Sequence, residues 1–309
     1  MSHTLLDLLK LNGADQVNGL IEEVRTVAPE VTIIPARTIR GTSYPVAVRS
    51  GLPTVGFRAA NAGQDPSKSR FTTRNVETFI LDGRIEVDKA VANGYEDGPD
   101  ALIALEARAF TQAAILTIGS QTFYGDATAS KGFFGLRKLA TEMGSLIEDA
   151  GGSAPGTGSS AYLISAGNQG VQYVYGNNTS LNLSAIREGD ATDADGKRFS
   201  AFIADMTGRV GLQCVNKHAV AILKDLTEDA GRGLTDAKVL DLLRKAPVGA
   251  NFTHLIISPR SAFQLAISRT ITPNQKAEVV TGLVNGFPTE SCGIPIIVTN
   301  SITDTEALT

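Results

Sequence analysis

The sequence predicts an α+β fold, and the order of its segments is the main reason. A long hairpin comes first, a single long helix follows, and a mixture of strands and helices fills the rest of the chain. Repeated strand–helix–strand units, which would indicate a parallel α/β sheet, are not visible. With 309 residues, of which 42% are hydrophobic, the chain is long enough for one large domain or two ordinary ones.

The composition argues against several classes of function. The formal net charge of −4 provides no electrostatic footprint for sequence-specific binding of nucleic acid. Cys214 and Cys292 lie far apart and form no CxxC pair, so neither a disulfide framework nor a zinc site is expected. No basic region precedes an apolar run at the N-terminus, so no signal peptide is predicted, and no segment is expected to span a membrane.

The N-terminal residues 4–27 have apolar residues at helical spacing, with an interruption at Gly13. The first apolar face is rich in leucine and includes Leu5, Leu8 and Leu9. The second apolar face follows the glycine and consists of Val17, Leu20, Ile21 and Val24. No helix adjacent in the sequence could cover these faces, so they need a surface elsewhere, on the same chain or on a neighbour.

Residues 40–81 predict a long hairpin. Apolar residues alternate with small or polar ones from Tyr44 to Phe57, and again from Thr72 to Ile80. Between the two strands, residues 59–69 (AANAGQDPSKS) contain no large apolar residue. An isolated two-stranded ribbon is only marginally stable in water, so this hairpin needs a surface to pack against.

The hairpin is rich in basic residues, and its acidic residues are Asp65 and Glu77. One interpretation is an ordinary surface hairpin with a solvated basic face. The other is a projecting arm that binds another subunit, as donated strands and hairpins do. On the second interpretation we predict contacts with a neighbouring subunit through Arg49, Arg58, Asp65, Lys68, Arg70 and Arg74.

Residues 99–123 predict one helix of unusual length. At ~1.5 Å per residue, about 25 residues make a rod of roughly 37 Å. Asp97 is the expected N-cap, and Pro99 falls in the first turn, where its missing N–H is harmless. The expected core side chains of this helix are Leu102, Leu105, Phe110 and Leu116. Glu106 and Arg108 interrupt the apolar surface, which makes the helix a poor membrane span.

The remaining chain predicts shorter elements separated by glycine-rich turns. The predicted strands are residues 84–91, a pair within 161–175, two strands within 199–226 bent at 207–209, a short strand at 254–258, and 293–299. The predicted helices are one within residues 133–150 with Leu136 and Ile147 on its apolar face, one at 235–245, and one that begins at Pro259. Residues 151–160 and 193–197 are predicted turns.

Some motifs resemble ligand sites, but the residues around them do not fit such sites. Residues 156–161 (GTGSSA) match the letters of a dinucleotide fingerprint, but they precede a strand instead of joining a strand to a helix. Residues 193–196 (DADG) lack calcium ligands at the flanking loop positions. No nucleophile elbow and no metal-spaced histidine pair is present in the sequence. We therefore predict no catalytic residue, no cofactor and no metal site.

In this order, the segments resemble the tailed-bacteriophage major capsid proteins, whose shell-forming fold (the Johnson fold) is shared with encapsulins. Residues 123–126 (FYGD) and 134–136 (FGL) resemble the turn that follows the spine helix in one capsid subgroup. Residues 211–215 (GLQCV) and 219–222 (AVAI) resemble the returning strands of that subgroup. Residues 292–298 (CGIPIIV) resemble the Gly-x-Pro-Val-type strand near many capsid C-termini.

The resemblance implies a division of the chain into the parts of a capsid subunit, with an extended hairpin that projects over the adjacent subunit. In chain order the parts would be the N-terminal arm (1–39), the extended hairpin or E-loop (40–81), the peripheral domain (82–150) with the spine helix (99–123), the axial domain (151–290) with returning peripheral-domain strands (199–226), and the C-terminal strand and tail (291–309).

The resemblance also implies a function, that of a structural protein which self-assembles into an icosahedral head shell around double-stranded DNA. The expected partners are copies of the chain in pentamers and hexamers, separate scaffolding and portal proteins, and packaged DNA bound without sequence preference. The expected location is the virion, after assembly in the host cytoplasm. Two alternatives remain open, an encapsulin-like compartment with the same fold and a soluble α+β enzyme.

Overall fold

The computed structural model describes residues 26–128, 131–178, 180–193, 195–270, 283–284 and 287–308. The predicted arm residues Leu5, Leu8 and Leu9 lie outside these ranges. Within them, the helices are α1 (Glu30–Ile33), α2 (Lys89–Ala92), α3 (Pro99–Tyr124), α4 (Leu136–Met143), α5 (Asp236–Lys245) and α6 (Pro259–Thr270).

The strands of the described residues are numbered in chain order. They are β1 (Ala36–Thr38), β2 (Ser43–Gly51), β3 (Arg70–Glu77), β4 (Phe79–Asp88), β5 (Leu146–Asp149), β6 (Ser159–Ile164), β7 (Val171–Tyr175), β8 (Asn182–Leu183), β9 (Arg187–Thr192), β10 (Arg198–Cys214), β11 (Val220–Leu226), β12 (His254–Ile257), β13 (Leu283–Val284), β14 (Phe287–Pro288), β15 (Glu290–Ser291) and β16 (Ile294–Val298).

The first sheet is built around β10, which is 17 residues long. One edge of β10 pairs antiparallel with β4, from Ala201 opposite Asp88 to Val210 opposite Phe79. The other edge pairs in turn with β9, β8 and β7, and β1 adds to β7 in parallel. Leu102 and Ile103 of α3 pack with Ile85 of β4, so the long helix covers one face of this sheet.

The second sheet has the strand order β15-β16-β12-β6-β11-β5. Every residue of its central strand β6 is buried. Helices α5 and α6 pack against the sheet through Val239, Leu242 and Leu265, among others. The largest core cluster joins both sheets, because it combines Tyr162 of β6 and Tyr173 of β7 with residues of α3 and α4. This mixed architecture confirms the α+β prediction.

The predicted hairpin is present as a two-stranded antiparallel sheet of β2 and β3. Its register runs from Ser43 opposite Glu77 to Gly51 opposite Arg70. Its boundary differs from the prediction, because Ile80 belongs to β4 of the first sheet and not to the hairpin. Thr78 separates the two strands, and both its backbone N–H and its hydroxyl donate to the carbonyl of Thr42 at 2.8 Å.

Helix α3 is the predicted long helix and ends one residue later than expected. Its N-cap is Gly98, with φ of 88°, so the prediction that Asp97 caps the helix is wrong. Glycine adopts this left-handed conformation without steric cost, which lets the chain turn sharply into the helix.

By length and composition alone, α3 could also cross a membrane, since its most apolar window has a mean hydropathy of 1.4 and at most two charged residues. The presence of Glu106 and Arg108 therefore does not by itself make α3 a poor membrane span. Only 22% of that window is buried within the subunit. Much of the apolar surface of α3 thus remains for contacts outside the part of the chain that the structure describes.

The strand predicted at residues 84–91 begins five residues and ends three residues too late, since β4 covers Phe79–Asp88. It ends where the Asp88 carboxylate accepts a hydrogen bond from the backbone N–H of Ala90 at 2.8 Å and so caps α2. A side-chain acceptor at this position starts a helix and stops the strand.

The helix predicted within residues 133–150 ends earlier than expected, at Met143. Gly144 adopts the left-handed conformation (φ 66°), which terminates the helix. Ile147, predicted on the apolar face of the helix, instead lies in β5, which pairs in parallel with β11. The apolar residues after Gly144 have a spacing that fits either structure, and the sheet decides between them.

Two predictions about the strands after residue 160 are wrong. The bend expected at residues 207–209 does not occur, because the ladder between β10 and β4 continues through Gly208 opposite Leu81. The strands β6 and β7 do not form a pair but belong to different sheets. By contrast, α5, α6, β12 and β16 lie where the sequence predicts them, and the hydroxyl of Thr235 caps α5.

Candidate assembly surfaces

The tip of the hairpin is the most exposed extended segment of the described chain, since every residue from 52 to 68 is exposed. It carries three large apolar side chains, with Leu52 78% exposed, Val55 86% exposed and Phe57 fully exposed. Neighbouring apolar side chains on a protruding element are characteristic of a binding surface. The sequence argument emphasised charge and missed these three residues.

The predicted basic residues of the tip are also exposed, namely Arg49, Arg58, Lys68 and Arg70. Arg58 donates to the carbonyl of Ala62 at 2.7 Å, and the Arg49 guanidinium lies 5.5 Å from the centre of the Phe71 ring. Among the described residues, Arg58, Lys68, Arg70 and Asp65 form no ion pair. Their charges are therefore available to a partner.

Arg74 lies apart from these residues, at the base of the hairpin. Its guanidinium donates to the backbone carbonyl of Val215 and contacts the sulfur of Met143 at 2.9 Å. On the opposite strand, the hydroxyl of Tyr44 donates to the side chain of Gln213. These bonds within the chain fix the hairpin to the end of β10, so Arg74 is placed to orient the hairpin.

Apolar packing supports the same attachment. Val76 of β3 is buried against Val174 and Val215, with Val46 and Val48 packed around them. Beside this contact lies a cavity of about 380 Å³, which Phe133, Met143 and Cys214 help to line. Burial raises the pKa of the Cys214 thiol to about 12, so this cysteine stays protonated and unreactive.

The predicted core residues of α3 differ in their burial. Leu102 is fully buried, whereas Leu105, Phe110 and Leu116 are only partly buried. Phe110 packs at the margin of the cluster between α3 and β4. The helix therefore buries its two ends, at Leu102 and Phe123, more completely than its middle.

A groove of about 710 Å³ follows the partly exposed middle of α3. One wall is formed by residues 26–32, including Val27 and Ala28, and the other by α3, including Ala107, Ile115 and Leu116. Val27 is 57% exposed in it. The groove is a second candidate surface, and no motif in the sequence indicated it.

The segment after α3 crosses close over the end of the helix, where residues 123–126 meet residues 134–136. The N–H of Gly135 donates to the carbonyl of Gly125 at 2.7 Å, and the Gln121 amide donates to the carbonyl of Phe133 at 2.6 Å. A Cβ at either glycine would overlap backbone atoms of the other segment. The two glycines therefore have a physical role, because only they permit this close approach.

The C-terminal segment is anchored at the same place by Glu306, which is 7% exposed. Its carboxylate accepts hydrogen bonds from the hydroxyls of Tyr124 at 2.5 Å and Ser160 at 2.6 Å, and from the guanidinium of Arg137 at 3.0 Å. Burial raises the pKa of Tyr124, and the Glu306 carboxylate adds to this shift. Sequence reasoning missed Glu306, because a single acidic residue near the C-terminus carries no pattern.

Within the described ranges, no group of three or more His, Cys, Asp or Glu residues could hold a metal ion. His218, expected in a strand, lies exposed in the turn between β10 and β11. His254 begins β12 with its Nδ1 2.9 Å from the hydroxyl of Thr253, and burial lowers its pKa. Neither histidine faces a charged partner in a cavity.

Comparisons with known proteins agree on one type of molecule. A family model described as major capsid protein GP7 matches residues 12–308. A search of curated protein sequences found no match. Among solved structures, a chain from bacteriophage Epsilon15 is similar at 19% identity, with a TM-score of 0.73, over 99% of this chain and 97% of that chain.

Two further similarities have TM-scores below 0.5. A structure of Mycobacterium phage Adephagia matches at 12% identity and a TM-score of 0.49, over 72% of this chain and 98% of the other. The SrpI encapsulin of Synechococcus elongatus PCC 7942 matches at 11% identity and a TM-score of 0.48, over 74% of this chain and 96% of the other.

Proposed function

Because this chain belongs to the major capsid protein GP7 family, we propose that its hairpin tip and its two ends are the surfaces by which copies join. The chain is a structural protein of the phage virion, a major capsid subunit that assembles with itself into the icosahedral head shell. The match over residues 12–308 is the observation that carries this function.

The hairpin tip is suited to binding a neighbouring copy. Its fully exposed Phe57 and strongly exposed Val55 supply apolar surface, and Arg58, Lys68 and Arg70 surround them with positive charge. Interfaces commonly combine an apolar centre with a polar rim of this kind. The corresponding surface of the neighbour is acidic on this proposal. Since each subunit of a closed shell binds several neighbours, even weak tip contacts add up to a stable assembly.

We propose a role in the shell for each part of the subunit. The arm (1–39) and the extended hairpin (40–81) reach neighbours, with Leu5, Leu8 and Leu9 as contacts of the arm. The peripheral domain (82–150) holds α3 as its spine helix, and the axial domain (151–290) lies at the capsomer axis, with the returning strands around 199–226. The C-terminal strand and tail (291–309) close the second sheet.

The remaining partners are also proposals. Separate scaffolding and portal proteins act during assembly in the host cytoplasm, and packaged DNA touches the shell weakly and without sequence preference, in line with the net charge of −4. The chain has no catalytic activity, no cofactor and no membrane partner on this proposal. The family match favours a phage head over the encapsulin-like compartment, and over a soluble enzyme.

Deletion of residues 59–69 tests the role of the hairpin tip. The base of the hairpin keeps its contacts at Val76, Val215 and Gln213, so the shortened subunit is expected to fold with a circular dichroism spectrum and melting temperature close to those of the full chain. Electron microscopy is expected to show no closed shells. Normal shells from the shortened chain would overturn the proposal for the hairpin and leave the family assignment untouched.

A further inference from the structure

Two buried glutamines lie where the hairpin joins the first sheet. Gln172 of β7 is 1% exposed and Gln213 of β10 is 2% exposed, and the two residues lie opposite each other in the sheet. The amide nitrogen of Gln172 donates to the side-chain oxygen of Gln213 at 2.7 Å. Burying an amide is costly unless its hydrogen bonds are formed, so the bonds of this pair hold both side chains in a defined geometry.

The same oxygen of Gln213 also accepts a hydrogen bond from the hairpin. The hydroxyl of Tyr44 in β2 donates to it, and the Arg37 guanidinium lies 4.4 Å from the centre of the Tyr44 ring. Gln213 therefore receives one hydrogen bond from the sheet and one from the hairpin. Removal of the Tyr44 hydroxyl would break the second bond and leave the aromatic ring in its place.

The amide nitrogen of Gln213 extends this connection towards the second sheet. It donates to the carbonyl of Asn168 at 2.8 Å. Asn168 lies in the turn that joins β6 of the second sheet to β7 of the first. In the same turn, the N–H of Ala166 donates to the hydroxyl of Thr253 at 2.9 Å, directly before β12. Gln213 therefore connects the hairpin to the junction of the two sheets.

The backbone at the base of the hairpin leaves little freedom to tilt. A Cβ at Gly211 would overlap the carbonyl oxygen of Glu77 at the end of β3, so the absence of a side chain lets β10 pass this close to the hairpin. Thr78 is bonded twice to the carbonyl of Thr42. Because all these contacts form within one subunit, the direction of the hairpin is set before it meets a neighbour.

We propose that Gln213 is a positioning residue for assembly, which fixes the angle between the hairpin and the two sheets through Tyr44 and Asn168, and that this angle determines the curvature of the shell. The inference rests on the proposed role of the hairpin in joining copies. A hairpin already held in its binding direction loses little conformational freedom on contact, which favours association. A loosened hairpin presents the same tip over a range of angles, so copies join at variable angles and the particles lose their uniform size.

The distance between two spin labels in the unassembled full chain tests the fixed angle. The labels are attached through Ala60→Cys in the tip and Thr141→Cys on α4, and Cys292→Ser removes the exposed native thiol, while the other native cysteine is buried. This chain is expected to give one narrow distance distribution, and addition of Tyr44→Phe is expected to broaden it at least twofold. The matched control is Tyr95→Phe, at a tyrosine packed between α3 and β4, and it is expected to leave the distribution unchanged.

Electron microscopy of assembled particles tests the link to curvature. Particles of Tyr44→Phe are expected to vary in diameter at least twice as much as those of the original chain. A merely structural role of the hydroxyl would lower the melting temperature of the subunit and leave the particle diameter uniform.

Three results would overturn the proposal. They are a distribution that stays narrow in Tyr44→Phe, a broad distribution in the chain that keeps Tyr44, and particles of uniform diameter from Tyr44→Phe subunits with a broadened distribution. The label distances are measured without assembly, so they decide whether the hairpin angle is fixed even if copies do not join through the hairpin. Failure of the proposed function would therefore be recognised on its own.

Discussion

Gly119 lies where α3 meets the segment that leads into α1, and its lack of a side chain determines the packing there. A Cβ at this position would overlap the carboxylate of Glu30 and the hydroxyl of Ser301, and would come within 2.9 Å of the Cβ of Ala28. Glu30 is fully buried, and among the described residues its carboxylate oxygens have no hydrogen-bond partner. The site has no room for an additional methyl group.

Gly119→Ala is therefore expected to destabilise the subunit. Overpacking a core costs about 1–3 kcal/mol, which exceeds the roughly 0.5–1 kcal/mol that alanine gains over glycine inside a helix. Urea denaturation of the unassembled subunit measures the difference. Gly249→Ala is the matched control, since no atom lies within 4 Å of its added Cβ. Equal stability of the two variants would contradict the packing described here.

Asp236 provides a test of pH dependence. Both its carboxylate oxygens accept from the guanidinium of Arg269 at 2.7 Å, and these bonds, helped by the hydroxyl of Ser291, lower the pKa of Asp236. The unfolded chain then binds more protons in acid, so this contribution is complete at neutral pH and is lost as the pH falls below the ordinary carboxyl value of 3.8.

Arg269→Gln is expected to lower the stability at pH 7 by less than about 1 kcal/mol, because the pair is partly exposed. As the pH falls below 3.8 and through the lowered pKa of Asp236, the difference in stability between the variant and the original chain should shrink. Melting curves recorded across this range check the convergence. A difference that grows as the pH falls would have the wrong sign and would contradict the assignment.

At the scale of elements, the charges of the hairpin tip can be tested without deleting it. Replacing Arg58, Lys68 and Arg70 with Glu is expected to leave folding intact, because these side chains are exposed and lie outside the packed base. Assembly should fail or slow at least tenfold, and light scattering measures its rate. A variant that exchanges Arg for Lys and Lys for Arg keeps the charge and should assemble normally. Normal assembly of the Glu variant would exclude an acidic partner surface.

Elements with strong local signals were predictable from the sequence. The long helix and α5 follow from apolar spacing with a proline or a threonine at the start, and the hairpin follows from alternation on either side of a polar tip. Where a short apolar run fits both helix and strand, as around Ile147, the neighbouring strand decides, and the sequence does not show which strand that is. The continuity of β10 is likewise decided by a neighbouring strand. Pairing with β4 overrides the tendency of Gly208 to interrupt a strand.

The candidate surfaces were predictable to a smaller extent. The polar tip predicts that Arg58 and Lys68 are exposed. Alternation in the sequence does not distinguish these two residues from Arg74, which donates a hydrogen bond to Val215 at the base of the hairpin. The groove beside α3 and the site of Glu306 depend on contacts between distant segments, so no local pattern reveals them.

At the scale of the whole molecule, Glu306 connects the second sheet with α3 and α4. It links Tyr124 at the end of α3, Arg137 at the start of α4 and Ser160 in β6. Glu306→Ala would remove the acceptor for the hydroxyls of Tyr124 and the buried Ser160, at a cost of roughly 1–3 kcal/mol for each unsatisfied group. Chemical denaturation is expected to show a marked loss of stability for Glu306→Ala. The loss is expected to be smaller for Glu306→Gln, because glutamine keeps the shape of the side chain and one hydrogen-bond acceptor.

Glu142→Ala is the control for that series, because Glu142 is about half exposed and lies 3.8 Å from Lys138 on the surface of α4. Surface pairs of this kind contribute about 0–1 kcal/mol. If the two alanine variants were equally stable, Glu306 would not hold the C-terminal segment, α3, α4 and the second sheet together.

The central claim is that this chain builds a closed shell from copies of itself. Cryo-electron microscopy of the expressed full-length chain, after size-exclusion chromatography, tests it most directly. Closed icosahedral particles are expected, or the fivefold and sixfold rings from which they form, with the hairpin of each subunit lying over its neighbour. A chain that remains a monomer or dimer under all assembly conditions, or particles in which the hairpin tip touches no neighbour, would contradict it.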